Sequence, residues 1–295
     1  MALLSGRVAI VTGAGSGLGR EHARALAAAE ATVVVNDIDE ASAAATLADI
    51  AAEGGSGSTF IGSVSDWDGA GEMVQYAIDS HGDLDILVNN AGFTRDAMSF
   101  SMTEEQFDTV VDVHLKGHFA PSHHAGKYWR AQSKDGSERP RRIINTASES
   151  GIFGGAGQGN YASAKGGILT MTLVLARELQ KYTTTVNVIA PRARTGITEG
   201  AGWATPPEDP DEFDRFHPAN ASPFVVWLAS DEASHVNGQC FIVGSNVAVR
   251  MKRYSAIAEI RNDAGRWTAD ALTARAGELL DGWDSGVPSF DQPTF

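Results

Sequence analysis

Tyr161 and Lys165 stand four residues apart in GQGNYASAK (157–165). On a helix that spacing stacks a phenol and an ammonium on one face, a single turn apart. A free phenol titrates near about 10 and a neighbouring ammonium favours the phenolate, so such a pair can exchange a proton with an alcohol or a ketone at ordinary pH. Alone, the pair is common on solvated helices and says little. Ser148 in INTASESG, at the end of an apolar strand-like run, adds a hydroxyl thirteen residues upstream of the tyrosine. A carbonyl that accepts a hydride becomes an alkoxide, so donors aimed at its oxygen stabilise the developing charge while a phenol supplies the proton.

A second group of residues lies near the start of the chain, in Thr12-Gly13-Ala14-Gly15-Ser16-Gly17-Leu18-Gly19. Glycines after a strand and at the opening of a helix let the backbone approach a pyrophosphate, whose charge is favoured by the N–H groups of the helix start. Gly13, Ser16, Gly17, Leu18 and Gly19 are therefore candidate cofactor-binding residues. Asp37 closes the second strand at the distance of a ribose-binding acid. A carboxylate there accepts hydrogen bonds from both ribose hydroxyls of NAD and repels the 2′-phosphate of NADP, so NAD is the expected cofactor. Arg20 is the cation near this turn that could work against that preference.

These groups need a frame that brings residue 13 close to residue 161. Short β-branched runs alternate with Ala-rich helical ones: VAIVT, ATVVVND, STFIGSV, DILVNNAG, RRIINTAS and TTVNVIAP are strands with a helix after each of the first five. A seventh strand is expected in QCFIVG, after a short helix in SPFVVWLAS. That rhythm predicts βαβ units and a parallel sheet, an α/β fold in one continuous domain over 1–249. One long helix is predicted from Thr103 to about Ala131. Residues 195–221, rich in Gly, Pro and acids, read as a substrate lid, and 250–295 as a polar C-terminal extension packed on or near the domain, with a helix over Asp270 to Leu280.

Composition narrows the class of function. A formal charge of −14 works against nonspecific nucleic-acid binding, and the basic cluster from Arg139 to Arg142 sits in a Pro- and Gly-punctuated loop. No apolar run reaches the length of a membrane helix, and MALLSGRVAIVTG lacks the pattern of a signal peptide, so neither nucleic acid nor membrane is an expected partner and a cytoplasmic location is the default. The single cysteine, Cys240, forms no internal disulfide and has no neighbours at zinc spacing. His114 and His118 share a helical face but lack the HExxH glutamate, so no metal is expected.

Taken together, TGAGSGLG, NNAG at 89–92, Ser148 and YASAK resemble the classical short-chain dehydrogenase/reductase family, in order over about residues 5–245. The resemblance implies a Rossmann-type doubly wound sheet of about seven parallel strands with helices on both faces. It also implies roles. Tyr161 is the general acid/base, Lys165 binds the nicotinamide ribose and lowers the tyrosine pKa, and Ser148 binds the substrate oxygen. Asn90, Ala91 and Gly92 line the cofactor, Ser63 and Val64 sit by the adenine where Asp-Val is common, and Pro191 and Thr195 meet the nicotinamide. Two departures stand out. His114 in VDVHLKG replaces an asparagine whose backbone holds a water in a proton relay to the lysine, and PRARTGIT has Arg192 where glycine usually follows the proline.

Within the family, VHLKGHF, GQGNYASAK, PRART and FIVGSNVAVRM resemble the branch of (3R)-hydroxyacyl-CoA dehydrogenases and type 4 17β-hydroxysteroid dehydrogenases. The implied substrate is a fairly large apolar secondary alcohol or ketone, with Phe93, Met98, Ile152, Phe153 and Trp203 as candidate pocket walls. Arg192, Arg194, Arg250, Lys252 and Arg253 are candidate cations for the phosphates of a CoA thioester; a steroid needs none. Two alternatives accompany this reading: a 3-oxoacyl thioester reductase, and a catalytically impaired nucleotide-binding regulatory protein. The resemblance further implies a homo-dimer or homo-tetramer.

Overall fold

The computed structural model describes residues 2–196, 205–209, 212–252, 255–263, 265–280 and 287. The chain divides into two compact units, with the division after Met251. In the first unit one eight-stranded sheet runs in the order β3-β2-β1-β4-β5-β6-β7-β8. Its strands are β1 (Val8–Thr12), β2 (Thr32–Asp37), β3 (Ser56–Ile61), β4 (Ile86–Asn89), β5 (Arg141–Thr146), β6 (Thr184–Pro191), β7 (Cys240–Gly244) and β8 (Val247–Arg250). The first seven are parallel. The eighth, beyond the seven expected, folds back antiparallel on β7 through Ser245, whose φ is 52°.

The central strands are buried on both faces, which is why they read as continuous apolar runs rather than alternating ones. Alternate residues of β1 face opposite cores. Ala9 and Val11 pack with helices α1 (Gly17–Ala28), α2 (Glu40–Ala52) and α8 (Ser222–Ala229). Val8 and Ile10 pack with α3 (Trp67–His81), α5 (Gly117–Lys134) and α7 (Gly159–Leu179). The doubly wound architecture expected from the sequence is therefore present, and it places the C-terminal ends of all seven parallel strands along one edge.

The long helix predicted from Thr103 is broken. α4 (Glu104–Val111), capped by a reciprocal Thr103–Gln106 box, passes into a wider π-helical turn at Asp112–Lys116 before α5 begins. Such turns inside helices frequently mark functional sites, and this one carries His114. A five-residue helix, α6 (Glu149–Phe153), connects β5 to α7. The second unit contains α9 (Ala269–Leu279), close to the helix predicted there, with Thr268 capping its start. Of the residues assigned to a lid, 197–204, 210 and 211 lie outside the described residues, as do Trp203 and Arg253. Among the described residues no helix is long and apolar enough to cross a membrane.

Candidate active site

The strand order reverses direction between β1 and β4, and the glycine turn and NNAG follow these two strands. The two loops touch. A Cβ added to Gly13, whose φ is 62°, would lie 2.7 Å from Ala91 Cα, and one added to Gly19 would lie 2.1 Å from the Gly13 carbonyl oxygen. Thr12 ties them together, its Oγ1 accepting from the N–H groups of Asn90 (2.9 Å) and Ala91 (3.1 Å). The Asn90 amide donates back to the Thr12 carbonyl at 3.0 Å.

α1 opens at Ser16 and Gly17 with no side-chain cap and no acidic residue in its first turn, which leaves its N-terminal N–H groups suited to an anion. Asp37 lies beside the turn, accepting from Gly15 N–H at 2.8 Å. Arg20 is ion-paired with Asp49 of α2. These features fit a dinucleotide: a backbone cradle that side chains would fill, a helix start for the pyrophosphate, and a carboxylate for the ribose. Thr195 borders the same turn, 3.5 Å from where a Gly17 Cβ would sit. Pro191 ends β6 opposite Val243. Val64 is buried, with Gly117 packed so closely that a Cβ there would meet its Cγ2 at 2.5 Å. Ser63 is exposed and its hydroxyl is hydrogen-bonded to that of Ser65.

At the ends of β4 and β5 the structure brings Ser148, Tyr161, Lys165 and His114 together. Tyr161 is 8% exposed and lies beside Ser148, whose hydroxyl acts to lower the phenol pKa and whose Oγ accepts from Ser150 N–H and so caps α6. The His114 ring stands edge-on to the Tyr161 ring, 5.1 Å between centroids. Lys165 Nζ donates to the Thr146 carbonyl at 2.6 Å and lies 5.6 Å from the Tyr161 ring centroid. Gly92 makes room for His114: a Cβ there would fall 2.0 Å from the imidazole Cε1. The imidazole Nε2 lies 3.0 Å from the Phe93 N–H and 2.7 Å from its carbonyl, so either tautomer is anchored to that backbone.

Burial governs the electrostatics here. It raises the Tyr161 phenol above its ordinary range, with the Ser148 hydroxyl opposing. It pushes the Lys165 ammonium down to about 7. The expectation that the ammonium would win and favour the phenolate is corrected: desolvation disfavours both charged forms, and the pair is drawn toward neutrality. His114 is lowered to about 3 by burial and by the Lys165 charge. His118, one turn further on, is held well below its usual value for the same reasons. Among the described residues neither of its ring nitrogens has a partner in good hydrogen-bond geometry, nor has His114 Nδ1. Both histidines are neutral at pH 7, so His114 can accept or donate one hydrogen bond but brings no charge.

Sequence reasoning missed a feature next to the serine. Glu149, the first residue of α6, is buried and binds Arg192 through two hydrogen bonds of 2.6 Å. Arg194 is likewise paired with Asp214. Two of the cations set aside for CoA phosphates thus already hold carboxylates, while Arg250 and Lys252 are exposed. The signal was the unexpected Arg192 itself; its partner, 43 residues away, was invisible. Among the candidate pocket walls, Phe93 lies 6.2 Å from His114 between ring centroids, Ile152 and Phe153 are half-buried on α6, and Met98 is exposed.

The family model described as short chain dehydrogenase matches residues 7–201. The hydroxyacyl-CoA dehydrogenase ChsB1 of Mycobacterium tuberculosis is 42% identical over 294 residues, covering 95% of this chain and 90% of that protein. The peroxisomal multifunctional enzyme type 2 of Mus musculus is 39% identical over 250 residues, covering 81% of this chain but 32% of that longer protein. A crystal structure of a short chain dehydrogenase from Mycobacterium avium superposes with a TM-score of 0.87 at 42% identity, covering 97% of this chain and 98% of that one.

Proposed function

The chain belongs to the short-chain dehydrogenase/reductase family, in a branch shared with hydroxyacyl-CoA dehydrogenases, and from that premise we propose that it is an NAD-dependent enzyme interconverting a secondary alcohol and a ketone on a fairly large apolar substrate. The observation that carries the reading is the buried Tyr161, beside the Ser148 hydroxyl and one turn from a lysine whose pKa is pushed down to about 7, at the strand ends that also carry the glycine cradle.

Bound NAD supplies the hydride acceptor in oxidation, and NADH the donor in reduction. Gly13, Ser16, Gly17, Leu18 and Gly19 present backbone to its pyrophosphate, and Asp37 takes the adenosine ribose. Arg20, committed to Asp49, is not placed to answer a 2′-phosphate, which supports NAD over NADP. Asn90, Ala91 and Gly92 would line the cofactor at the end of β4, Pro191 and Thr195 would meet its nicotinamide, and Ser63 and Val64 would sit by its adenine. Ser148 donates to the substrate oxygen. In oxidation Tyr161 gives up its own proton toward Lys165 as it takes the substrate hydroxyl proton, and in reduction the transfer runs in reverse. Lys165, at about 7, can carry that proton at physiological pH, with the backbone of His114 at the next station.

A 3-hydroxyacyl-CoA is the favoured substrate class, on the strength of the relatives' names. Association into a dimer or tetramer is part of the proposal: Phe107 of α4, Phe119 of α5 and Val174 of α7 are large apolar residues left exposed on the helices expected to pair. Light scattering tests it, and a clean monomer would remove it. The function is tested by NAD reduction with a (3R)-hydroxyacyl-CoA, a 17β-hydroxysteroid and a short secondary alcohol. The acyl-CoA is expected to be preferred, and NADP to be poor. Comparable rates with NADP would overturn the role given to Asp37.

A further inference from the structure

Ser148 has its direction fixed by α6, and α6 is only five residues long. A single turn of helix has no cooperative stability of its own, so its orientation depends on whatever holds it from outside. Among the described residues, three contacts contribute to this. Gly151 packs on α7 so tightly that a Cβ would meet the Lys165 carbonyl carbon at 2.6 Å. Ser150 Oγ donates to Gln158 Oε1 at 2.7 Å. On the remaining side, Arg192 Nε and Nη2 grip the two oxygens of Glu149.

Arg192 is itself a fixed point. Its N–H donates to the Val243 carbonyl of β7 at 2.8 Å, and its own carbonyl abuts Gly244, where a Cβ would lie 2.6 Å away. A guanidinium that binds a carboxylate through two parallel bonds sets angle as well as distance, which a lysine cannot do. The pair is only about a tenth exposed, with side-chain values of 12% and 10%. Desolvation at that depth roughly offsets the mutual attraction, so geometry rather than net stability is what such a pair provides.

We propose that Arg192 is a positioning residue for the reaction: through its forked bond to Glu149 it fixes α6, and with it the Ser148 hydroxyl, against Tyr161. The proposal rests on the functional reading above and reassigns Arg192, which the sequence had offered as a phosphate-binding cation.

The test compares Arg192→Met, Glu149→Gln, the double variant Arg192→Met/Glu149→Gln and Arg192→Lys with the parent chain. Each single neutral substitution is expected to lower kcat about tenfold while KM and NADH affinity change little, in line with the cost of small misplacements at a reacting centre. The double variant leaves no unpaired buried charge, so its melting temperature is expected to return toward the parent's while kcat stays low. Arg192→Lys falls between. A double variant with the parent's kcat, or losses that follow melting temperature alone, would overturn the proposal.

A second readout needs no substrate. Carbon-labelled tyrosine NMR should show the Tyr161 phenol titrating higher in Arg192→Met, because the Ser148 hydroxyl that lowers it is no longer held in place. An unchanged titration contradicts the positioning role. A parent chain that turns over none of the alcohols, with this titration shifted as expected, would instead count against the functional reading.

Discussion

The two ends of β4 and β5 are both crowded with buried polar groups, and they are built on opposite terms. At the start of these strands Arg141 bonds Asp83 at 2.8 Å, Asp85 at 2.9 Å and the Leu84 carbonyl, while Arg7 and Arg139 add further contacts to the same aspartates. The Tyr128 hydroxyl donates to the same Asp83 oxygen as Arg141, and the Val8 N–H donates to the second oxygen of Asp85. At the other end, Thr146 Oγ1, His114 Nδ1 and both nitrogens of His118 are buried without well-formed hydrogen bonds among the described residues, around a lysine bonded to one carbonyl. Charge that is fully paired makes structure; polar groups buried unpaired and drawn toward neutrality are the arrangement of a site that handles protons.

The largest expected effect lies at the second end. Tyr161→Phe should lower kcat by about 10³-fold, the usual worth of a general acid/base, with NADH binding and melting temperature kept. If that loss came with unfolding, the tyrosine would belong with the paired end instead. Arg141→Met should do the reverse. Removing Arg141 leaves buried Asp85 to the longer contacts of Arg7 and Arg139, costing about 3 kcal/mol in urea unfolding, while kcat per folded molecule stays as in the parent.

A smaller effect separates the ends by pH. His22 and His114 are depressed to about 3 and His118 well below its usual 6.5, all chiefly by burial. Between about pH 3 and 6.5 the unfolded chain therefore binds more protons than the folded one, and stability rises with pH. Lys165, lowered from 10.5 to about 7, adds a gain of the same sign between those values. Urea midpoints measured from pH 5 to 7 should rise, and His118→Ser should flatten the rise. A slope unchanged by that substitution would mean His118 does not stay neutral in the fold.

The smallest effect is one of preference. Asp37→Ser should narrow discrimination between NAD and NADP by about tenfold, the worth of one charge-assisted hydrogen bond, measured as the ratio of kcat/KM for the two cofactors. An unchanged ratio would place the discrimination elsewhere.

The nucleotide loops were legible in the sequence because they are built of backbone. Glycine spacing reports close approach directly, and Gly13 and Gly19 meet neighbours where the pattern requires it. Tyr161, Lys165 and Ser148 were legible as a set for a similar reason, each tied to a strand end or a helical turn. What escaped depended on burial and on contacts distant in sequence. The raised phenol and lowered ammonium follow from desolvation, which no spacing encodes, and the expectation taken from the ammonium alone had the opposite sign. The π-helical turn at His114 was hidden inside an unbroken helical pattern. β8 was missed because its four residues follow a two-residue turn and were read as tail. The Glu149–Arg192 pair needed β6 laid beside β5, a register the fold supplies and the sequence only suggests.

The most direct test of the account is transfer of a labelled hydrogen. The chain is mixed with NAD and a (3R)-hydroxyacyl-CoA carrying deuterium at the carbinol carbon, and the NADH formed is analysed by mass spectrometry. The account expects one deuterium in each NADH, with a primary isotope effect on a single turnover, and no NADH from Tyr161→Phe on the same timescale. NADH without the label, or Tyr161→Phe turning over at the parent's rate, would contradict it.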